Sequence, residues 1–174
     1  MFDWQKIEQI KSTTLSELVA KKLYDCMMDA PTNQALEFGS YLGKSAVTIG
    51  AAAKEREGTL LCLDYFSEEV LAKFMLNVKE HQLENTIIPI RINHSEAVKN
   101  IFGKFGLIYI DGNHIAEFII PQARWAWEHI VDGGWIVFHD YSLAFPDVPI
   151  CVDLLARQWK RTPEIITSAA FIKK

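Results

Sequence analysis

Apolar residues follow two patterns along this chain, and the two patterns alternate. Short runs are almost continuously apolar, as in strands that are buried on both faces of a parallel sheet. The longer segments between them place apolar residues three and four positions apart, which is the spacing of a helix with one apolar face. The runs that predict strands are Ala35–Phe38, Gly58–Asp64, Thr86–Ile92, Gly106–Asp111 and Trp135–Asp140.

Capping residues indicate where the predicted helices begin and end. Thr14–Glu17 has the sequence of a capping box, and Ser67 can cap a helix that carries Val70 and Val78. Gly133 and Gly134 are expected to end a later helix, because glycine readily takes the left-handed conformation at a helix end. The other helices are predicted at Asp3–Lys11, Leu15–Met27, Ala46–Lys54, Ser95–Phe102, Ile115–Val131 and Ile150–Lys160.

The alternation of strands and helices predicts a doubly wound α/β fold. Strands joined by helices pair in parallel through right-handed crossovers. Pro89 places the third strand at the edge of the sheet, because proline cannot donate a hydrogen bond to a neighbouring strand. Pro121 predicts a kink or a restart in the helix around it. Glu164–Lys173 is expected to add one or two short strands.

Composition narrows the class of protein. With 174 residues, of which 49% are hydrophobic and 23% charged, the chain is expected to form a single domain, 1–174. The net charge of −4 and the scattered lysines and arginines argue against nucleic acid as a partner. Three distant cysteines without metal-ligand spacing indicate a reducing, cytoplasmic location. No apolar run reaches about 18 residues, so no membrane partner is expected.

Polar residues collect at the carboxyl ends of the predicted strands, which is where α/β proteins bind their ligands. Asp64 ends the second strand and is placed to hydrogen-bond a ribose. Because parallel strands end at the same edge of a sheet, these residues are expected to share one site. The others are Glu37, Gly39, Gly43, Asn93, His94, Ser95, Asp111, His139 and Asp140.

The segment Gln34–Ser45 joins the first strand, a glycine-rich turn and the start of a helix, and it is predicted to bind the cofactor. Tyr41 stands where a dinucleotide-binding motif needs its second glycine. The string from Gly39 to Ser45 is also close to a phosphate-binding loop, but it is one residue too short for that motif. Nucleotide binding of the phosphate-loop type is therefore the weaker alternative.

Longer motifs resemble a known family. They are EFGSYLG after the first strand, LCLD, NHSEA, IYIDGNH and WEHIVDGGWIVFHDY. These motifs, over about 34–154, are similar to class I S-adenosylmethionine-dependent methyltransferases, in particular to metal-assisted small-molecule O-methyltransferases with an IDGxH motif, such as macrolide sugar and catechol-type enzymes. The resemblance implies a Rossmann-like, mostly parallel sheet of six to seven strands with a shortened C-terminal hairpin. Residues 1–33 would then cover the sheet or the cofactor, and 34–174 would form the core.

The resemblance also implies roles for individual residues. It assigns Glu37, Gly39 and Gly43 to the methionine moiety, Asp64 to the ribose, and His94 and Ser95 to the adenine surroundings. It assigns Asp111 and Asp140 to a divalent cation such as Mg²⁺, although His139 and Tyr141 stand where dedicated magnesium sites of this family carry a second acid or an asparagine. The full cofactor-binding set is Glu37, Gly39, Ser40, Gly43, Asp64, Tyr65, His94, Ser95 and Asp111.

His114 is the first candidate for the base that removes a proton from the acceptor hydroxyl, because imidazoles titrate near neutral pH. His139 is the second, with Asp111 beside them. In an extended strand His139 would point away from Asp140, so it ranks below the two aspartates as a metal ligand. A structural role for His114 is the competing interpretation. Trp125, Trp127 and Trp135 are expected to pack in the core, with an aromatic acceptor pocket as the alternative.

The predicted function is S-adenosylmethionine-dependent methyl transfer to the hydroxyl of a small-molecule acceptor, assisted by a divalent cation. Two alternatives from other classes stay open, namely an accessory protein that binds the cofactor without transfer and a hydroxylase-like relative. A homodimer is expected if the small chain leaves the cofactor face half covered.

Overall fold

The computed structural model describes residues 3–11 and 15–174, in which a seven-stranded sheet separates two layers of helices. The strands, in chain order, are β1 (Gln34–Phe38), β2 (Thr59–Asp64), β3 (Ile87–Arg91), β4 (Phe105–Ile110), β5 (Ile130–Phe138), β6 (Glu164–Ile166) and β7 (Ala169–Lys173). The helices are α1 (Trp4–Glu8), α2 (Glu17–Asp29), α3 (Lys44–Glu55), α4 (Glu68–Glu80), α5 (His94–Asn100), α6 (Ala116–His129) and α7 (Asp147–Trp159).

The order of strands in the sheet is β3-β2-β1-β4-β5-β7-β6. The first five strands pair in parallel, and β7 is antiparallel to both β5 and β6. In register, Phe38 lies opposite both Leu63 and Ile110, and Ile110 lies opposite Phe138. Four strands therefore end at the same level, and the residues that follow them share one edge of the sheet.

Each face of the sheet has its own hydrophobic core. On one face, α1 to α4 pack on the strands through residues such as Leu23, Val47 and Phe74. On the other face, α5 to α7 do so through residues such as Trp125 and Val152. Because both faces are covered, the central strands are apolar throughout, which is the pattern that predicted them.

The predicted fold class is confirmed, and the C-terminal hairpin is complete. β3 with Pro89 lies at the edge of the sheet, as expected. The hairpin has both of its strands, although β6 is only three residues long. The helix around Pro121 neither stops nor restarts, because α6 runs from Ala116 to His129.

The prediction that Gly133 and Gly134 end a helix is wrong. α6 ends at His129, Ile130 is already extended, and both glycines lie inside β5. Phe105 pairs with Ile130 and Leu107 with Trp135, so residues 131–134 form a bulge in β5. A Cβ atom on Gly134 would lie 2.9 Å from the carbonyl oxygen of Gly106, so this glycine allows close approach between strands.

Two boundaries near the chain's start and end also differ from expectation. The predicted capping box begins at Thr14, which lies outside the described residues. Ser16 caps α2, with its hydroxyl accepting a hydrogen bond from the Val19 N–H at 3.4 Å. α7 begins at Asp147, three residues before the predicted start. In the described part of the chain, no helix combines the length and apolar character needed to cross a bilayer.

Candidate functional site

The turn after β1 is shaped by glycine at both ends. Gly39 has φ +85°, and a Cβ atom there would lie 2.1 Å from the carbonyl oxygen of Asp111. Gly43 has φ +88° and precedes the first residue of α3. Other residues rarely adopt these dihedral angles, and no side chain fits between Gly39 and the end of β4. Gly39 thus lets the turn lie against the end of β4, and Gly43 leaves room for the Phe74 ring of α4 beside the start of α3.

Asp64 binds this turn from the end of β2. Its Oδ2 accepts hydrogen bonds from the backbone N–H groups of Ser40 and Tyr41, both at 2.9 Å, and its Oδ1 accepts one from Phe66 at 3.0 Å. A phosphate-binding loop directs successive N–H groups at its ligand. Here two of those groups already bind a carboxylate, which argues against the phosphate-loop alternative.

Glu37 lies beneath the turn and is fully buried. Its Oε2 accepts a long hydrogen bond from the Cys62 thiol, at 3.5 Å, and the hydroxyls of Ser40 and Ser45 are its other hydrogen-bonding neighbours. Burial, with a smaller contribution from the charge of Asp111, raises the pKa of Glu37 from 4.5 to about 7. The side chain is thus a buried acid that is partly protonated near neutral pH.

Asp111, His139 and Asp140 meet at the ends of β4 and β5. The Nδ1 atom of His139 lies 3.1 Å from Asp111 Oδ1 and 3.4 Å from Asp140 Oδ2. The expectation that His139 points away from Asp140 is wrong, because β5 ends at Phe138 and Asp140 has a left-handed φ of +54°. Tyr109 adds a hydrogen bond from its hydroxyl to Asp111 Oδ2, at 3.4 Å.

The charges in this cluster depend on one another. Burial opposes the charge on His139, but its hydrogen bonds to Asp111 and Asp140 outweigh burial and raise its pKa to about 10. Burial also raises the pKa of Asp111, whereas the charge and hydrogen bond of His139 overcome burial at Asp140 and lower its pKa. At neutral pH an imidazolium therefore lies between two carboxyl groups.

This cluster fits a divalent cation. One ligand atom from each of Asp111, His139 and Asp140 lies within 4.8 Å of the others. The carboxylates already hold a positive charge in the form of the His139 proton, which an ion would replace. Two oxygen ligands and one imidazole suit Mn²⁺, Fe²⁺ or Zn²⁺ at least as well as Mg²⁺, because Mg²⁺ prefers oxygen.

His114 extends the cluster toward solvent. Its Nε2 lies 2.8 Å from Asp140 Oδ2, and its ring stacks on Phe145 with centroids 4.0 Å apart. If Nε2 carries the proton that this hydrogen bond requires, Nδ1 is the free basic nitrogen. The side chain of His114 is 35% exposed, so a ligand in solution can reach it.

These groups surround one cavity of about 390 Å³. Of the predicted site residues, it brings together Gly39, Ser40, Asp111, His114, His139 and Asp140. The remaining predicted residues do not line it, namely Glu37, Gly43, Asp64, Tyr65, His94 and Ser95.

His94 and its neighbours lie on the far side of the strand ends. The His94 Nε2–H donates to the carbonyl oxygen of Leu63 at 3.1 Å, and burial lowers the pKa of the ring. Ser95 donates to Asn93 Oδ1 through both its backbone N–H and its hydroxyl. Tyr65 is 63% exposed, and its ring centroid lies 6.2 Å from that of His94. These residues form a surface next to Asp64 that is separate from the main cavity.

Comparison with known families agrees with this geometry. The sequence profile of a family described as a methyltransferase domain matches residues 36–141, which span β1 to the cluster after β5. The chain belongs to this methyltransferase family. No curated protein matches the sequence significantly.

Solved structures of other methyltransferases share the fold. An S-adenosylhomocysteine-bound methyltransferase from Podospora anserina, PaMTH1, has a TM-score of 0.78 at 13% identity, covering 98% of this chain and 86% of the other. TomG from Streptomyces achromogenes, an O-methyltransferase of tomaymycin synthesis solved with S-adenosylmethionine, has a TM-score of 0.73 at 14% identity, covering 98% and 87%. An O-methyltransferase from Bacillus cereus, solved with S-adenosylhomocysteine, has a TM-score of 0.74 at 14% identity, covering 98% and 91%. The predicted methyltransferase class and Rossmann-like fold are thus confirmed.

Tyr109, which hydrogen-bonds to Asp111 without lining the cavity, and several cavity residues of this methyltransferase escaped the sequence analysis. Tyr109 could have been found, because in a strand it shares a face with Asp111, two positions later. Nothing in the pattern of the loop before α7 distinguishes Phe145. The remaining cavity residues that were not predicted are Leu15, Tyr41, Lys44 and Ser45.

The three tryptophans pack as expected and do not line the cavity. Trp125 is 7% exposed and stacks on His129, with centroids 4.0 Å apart. Trp127 stacks on Trp159 at 4.4 Å. Trp135 packs against the core cluster on the α1-to-α4 face of the sheet. The packing interpretation therefore accounts for all three in the methyltransferase.

Proposed function

We propose that this methyltransferase transfers the methyl group of S-adenosylmethionine to a hydroxyl of a small molecule. The observation that carries the proposal is the shared cavity, in which the glycine turn after β1 faces Asp111, His114, His139 and Asp140. Solved structures of the same fold hold S-adenosylmethionine or S-adenosylhomocysteine, and several are O-methyltransferases, which supports the same cofactor and reaction here.

The cofactor would lie along the strand ends. Gly39 and Ser40 would contact the methionine moiety, with Glu37 and Gly43 shaping that part of the site from behind. Asp64 has oxygen lone pairs left after its three backbone hydrogen bonds, and these would accept from the ribose hydroxyls. The exposed Tyr65 and Ser95, with the buried His94 between them, would surround the adenine. The carboxylate of Asp111 would favour the positive sulfonium over a neutral sulfur.

His114 would act as the base. Its Nε2 is oriented by Asp140, so Nδ1 would accept the proton of the acceptor hydroxyl. The acceptor oxygen then forms a bond to the methyl carbon, while the bond from that carbon to sulfur breaks. The bonding electron pair stays on sulfur, which leaves S-adenosylhomocysteine and a methyl ether. His139 is a weaker candidate for the base, because with a pKa of about 10 it already holds a proton at neutral pH.

Asp111, His139 and Asp140 would hold a divalent cation such as Mg²⁺ or Mn²⁺. When bound, such an ion lowers the pKa of a coordinated hydroxyl and orients it. The same residues orient His114 and each other without the ion, through the hydrogen bonds described above.

The acceptor would enter beside the loop that precedes α7. Leu143 in that loop is 95% exposed, and Ile115 and Ile150 nearby are 55% and 65% exposed. We expect this apolar surface to contact either the acceptor or a second copy in a homodimer.

Cys26, Cys62 and Cys151 are free and buried, which fits a reducing, cytoplasmic location. We also propose that 1–174 act as one domain, with the first two helices covering α3 and Leu15 reaching the cavity.

Two measurements test the proposal. Calorimetric titration should detect binding of S-adenosylhomocysteine, and transfer of labelled methyl from S-adenosylmethionine should be detected with a panel of catechols, flavonoids and sugars. His114→Gln should keep cofactor affinity but lower the transfer rate by about 10²-fold or more. His81→Gln, outside this cavity, is the control and should be active. Cofactor binding without transfer to any hydroxyl, or full activity of His114→Gln, would contradict the proposed reaction.

A further inference from the structure

His114, the proposed base, lies in a loop, so its side chain is oriented by side-chain contacts. The loop joins β4 to α6, and His114 comes two residues before the first residue of that helix. In the plane of its ring, Nε2 lies 2.8 Å from Asp140 Oδ2. One hydrogen bond fixes the position of Nε2 but leaves the ring able to rotate about the line that joins the two atoms. Because that rotation moves Nδ1, the basic nitrogen needs a second contact to keep one position.

Phe145 provides that second contact. Its ring stacks on the His114 ring, with the centroids 4.0 Å apart and an angle of 26° between the two planes. The stack opposes rotation of the imidazole out of its plane, while Asp140 holds the edge of the ring that carries Nε2. Neither contact uses the lone pair of Nδ1. The two contacts together therefore favour one orientation of His114 and leave its basic nitrogen open to the acceptor.

Phe145 is itself fixed by the loop that precedes α7. Its backbone N–H donates to the carbonyl oxygen of Ser142 at 3.2 Å, and its carbonyl oxygen accepts from the Val148 N–H at 3.0 Å. At the start of the loop, the Tyr141 hydroxyl donates to Asp153 Oδ1 at 3.0 Å. The loop is thus tied to α7 at several points, which makes the Phe145 ring a preformed support for the imidazole.

A separate hydrogen bond joins the loop of His114 to the loop of Phe145. Asp147 Oδ2 accepts from the backbone N–H of Ala116 at 3.0 Å, and these two residues begin α7 and α6. Each lies two residues after the ring in its own loop. Phe145 is also 36% exposed, so it is not a core residue. Replacing its side chain should therefore leave both loops in place and the chain folded.

We propose that Phe145 is a positioning residue for methyl transfer, which holds the His114 imidazole with Nδ1 directed at the acceptor hydroxyl. This inference rests on the proposed function. A base must lie within about 2.6–3.2 Å of the oxygen whose proton it removes, so a small rotation of the ring takes Nδ1 out of reach. A stack that exists before the acceptor binds supplies this geometry in advance.

The first test separates the aromatic ring from its apolar bulk. Phe145→Leu keeps an apolar side chain but removes the stack, whereas Phe145→Tyr keeps the ring. Single-turnover methyl transfer on the full chain, at saturating cofactor and acceptor, would use the catechol, flavonoid or sugar that the wild type methylates fastest. Phe145→Leu should lower this rate about tenfold, and Phe145→Tyr should stay within about twofold of the wild type. Calorimetry should find the same affinity for S-adenosylhomocysteine in both variants, because His114 acts on the acceptor.

A double variant tests whether Phe145 acts through His114. His114→Gln has no imidazole to position, so adding Phe145→Leu to it should change the remaining rate by less than about twofold. A ring that only contacts the acceptor would slow both backgrounds by the same factor. Phe102→Leu is the matched control. Phe102 follows α5, is 79% exposed and lies outside this cavity, so this variant should keep the rate and the cofactor affinity of the wild type.

Four results would overturn the inference. They are a wild-type rate in Phe145→Leu, equal losses of rate in Phe145→Leu and Phe145→Tyr, an equal loss in the His114→Gln background, and a loss of cofactor affinity as large as the loss of rate. Each of them leaves the proposed function intact if the wild type transfers methyl and His114→Gln is slow. Failure of the wild type to methylate any acceptor, or full activity of His114→Gln, would instead contradict the proposed function, and this inference with it.

Discussion

At the scale of single residues, Gly39 carries two constraints at once. Its φ of +85° strains any residue with a side chain, and the position of a Cβ atom is occupied by the carbonyl oxygen of Asp111, 2.1 Å away. The first constraint concerns the turn alone. The second couples the turn to the end of β4 and therefore to the Asp111 cluster.

Gly39→Ala should lower the free energy of unfolding by more than the strain of a positive φ alone would. Gly133 has a similar φ of +80°, but a Cβ atom there would meet only a side-chain atom of Pro31, at 3.2 Å. We expect Gly133→Ala to lower the free energy of unfolding by about 1 kcal/mol and Gly39→Ala to lower it by at least about 2 kcal/mol. Urea unfolding measures both. Equal losses of stability in the two variants would mean that the close approach of Gly39 to Asp111 adds nothing to the effect of the substitution.

Glu37 makes stability depend on pH. Its folded pKa of about 7 lies above the ordinary value of 4.5, so the protonated form is favoured by folding. The resulting stabilisation is complete below about pH 4.5 and is lost as the pH rises through 7. Glu37→Gln keeps the shape of the neutral acid but cannot ionise. The free energy of unfolding of Glu37→Gln, relative to wild type, should rise by about 2–3 kcal/mol between pH 5 and pH 8. A constant difference in urea unfolding would show that Glu37 does not ionise in this range.

The residues found from sequence are those that carry a local signal. Gly39 and Gly43 interrupt an apolar pattern, and Asp111 and Asp140 come one and two residues after buried strands, so all four could be placed without coordinates. Lys44 was noticed only as part of the near-match to a phosphate-binding loop. Its position 4.9 Å from the centroid of the Trp4 ring depends on how α1 packs on α3 and leaves no local signal. The geometry of His139 also depends on the left-handed φ of Asp140, which is uncommon for residues other than glycine.

At the scale of elements, the strands were easier to predict than the ends of helices. Strands buried on both faces need apolar residues at every position, so their cores are visible in the sequence. The end of α6 was mistaken because Gly133 and Gly134 have the composition of a helix cap. Their actual role depends on a neighbouring strand, since Gly134 allows β5 to approach the backbone of Gly106. Long-range contacts of this kind leave no periodic pattern.

The C-terminal hairpin should contribute strongly to stability despite its short edge strand. Phe171 on β7 is 1% exposed and lies opposite Val137 of β5. Phe171→Ala should lower the free energy of unfolding by about 3–5 kcal/mol, because it leaves a cavity in the core. Ile165 of β6 is 44% exposed, so Ile165→Ala should lower the free energy of unfolding by less than about 1 kcal/mol. Similar small losses for both variants in urea unfolding would mean that the hairpin is not part of the cooperative core.

At the scale of the whole molecule, the site exists because the sheet changes direction between β1 and β4. β1 has β2 on one side and β4 on the other, so helices leave these strands toward opposite faces and open a crevice at their ends. Segments that are distant in sequence meet there: the turn after β1, Asp64 after β2, and the cluster after β4 and β5. None of these contacts survives in an unfolded chain, so cofactor binding and global folding should be linked.

Unfolding in the presence of S-adenosylhomocysteine measures this linkage. At 100 times its dissociation constant the ligand should raise the free energy of unfolding by about 2.7 kcal/mol, because it binds only the folded chain. Asp64→Asn replaces one acceptor oxygen of a carboxylate that accepts hydrogen bonds from three N–H groups. Without ligand, it should lower the free energy of unfolding by about 1–3 kcal/mol. It should also reduce the stabilisation that the same ligand concentration provides. The side chain of Asp132 is 95% exposed, so Asp132→Asn should match the wild type both in its stability without ligand and in its stabilisation by the ligand. An undiminished gain in Asp64→Asn would remove Asp64 from the cofactor site and leave it as a residue that only fixes the turn.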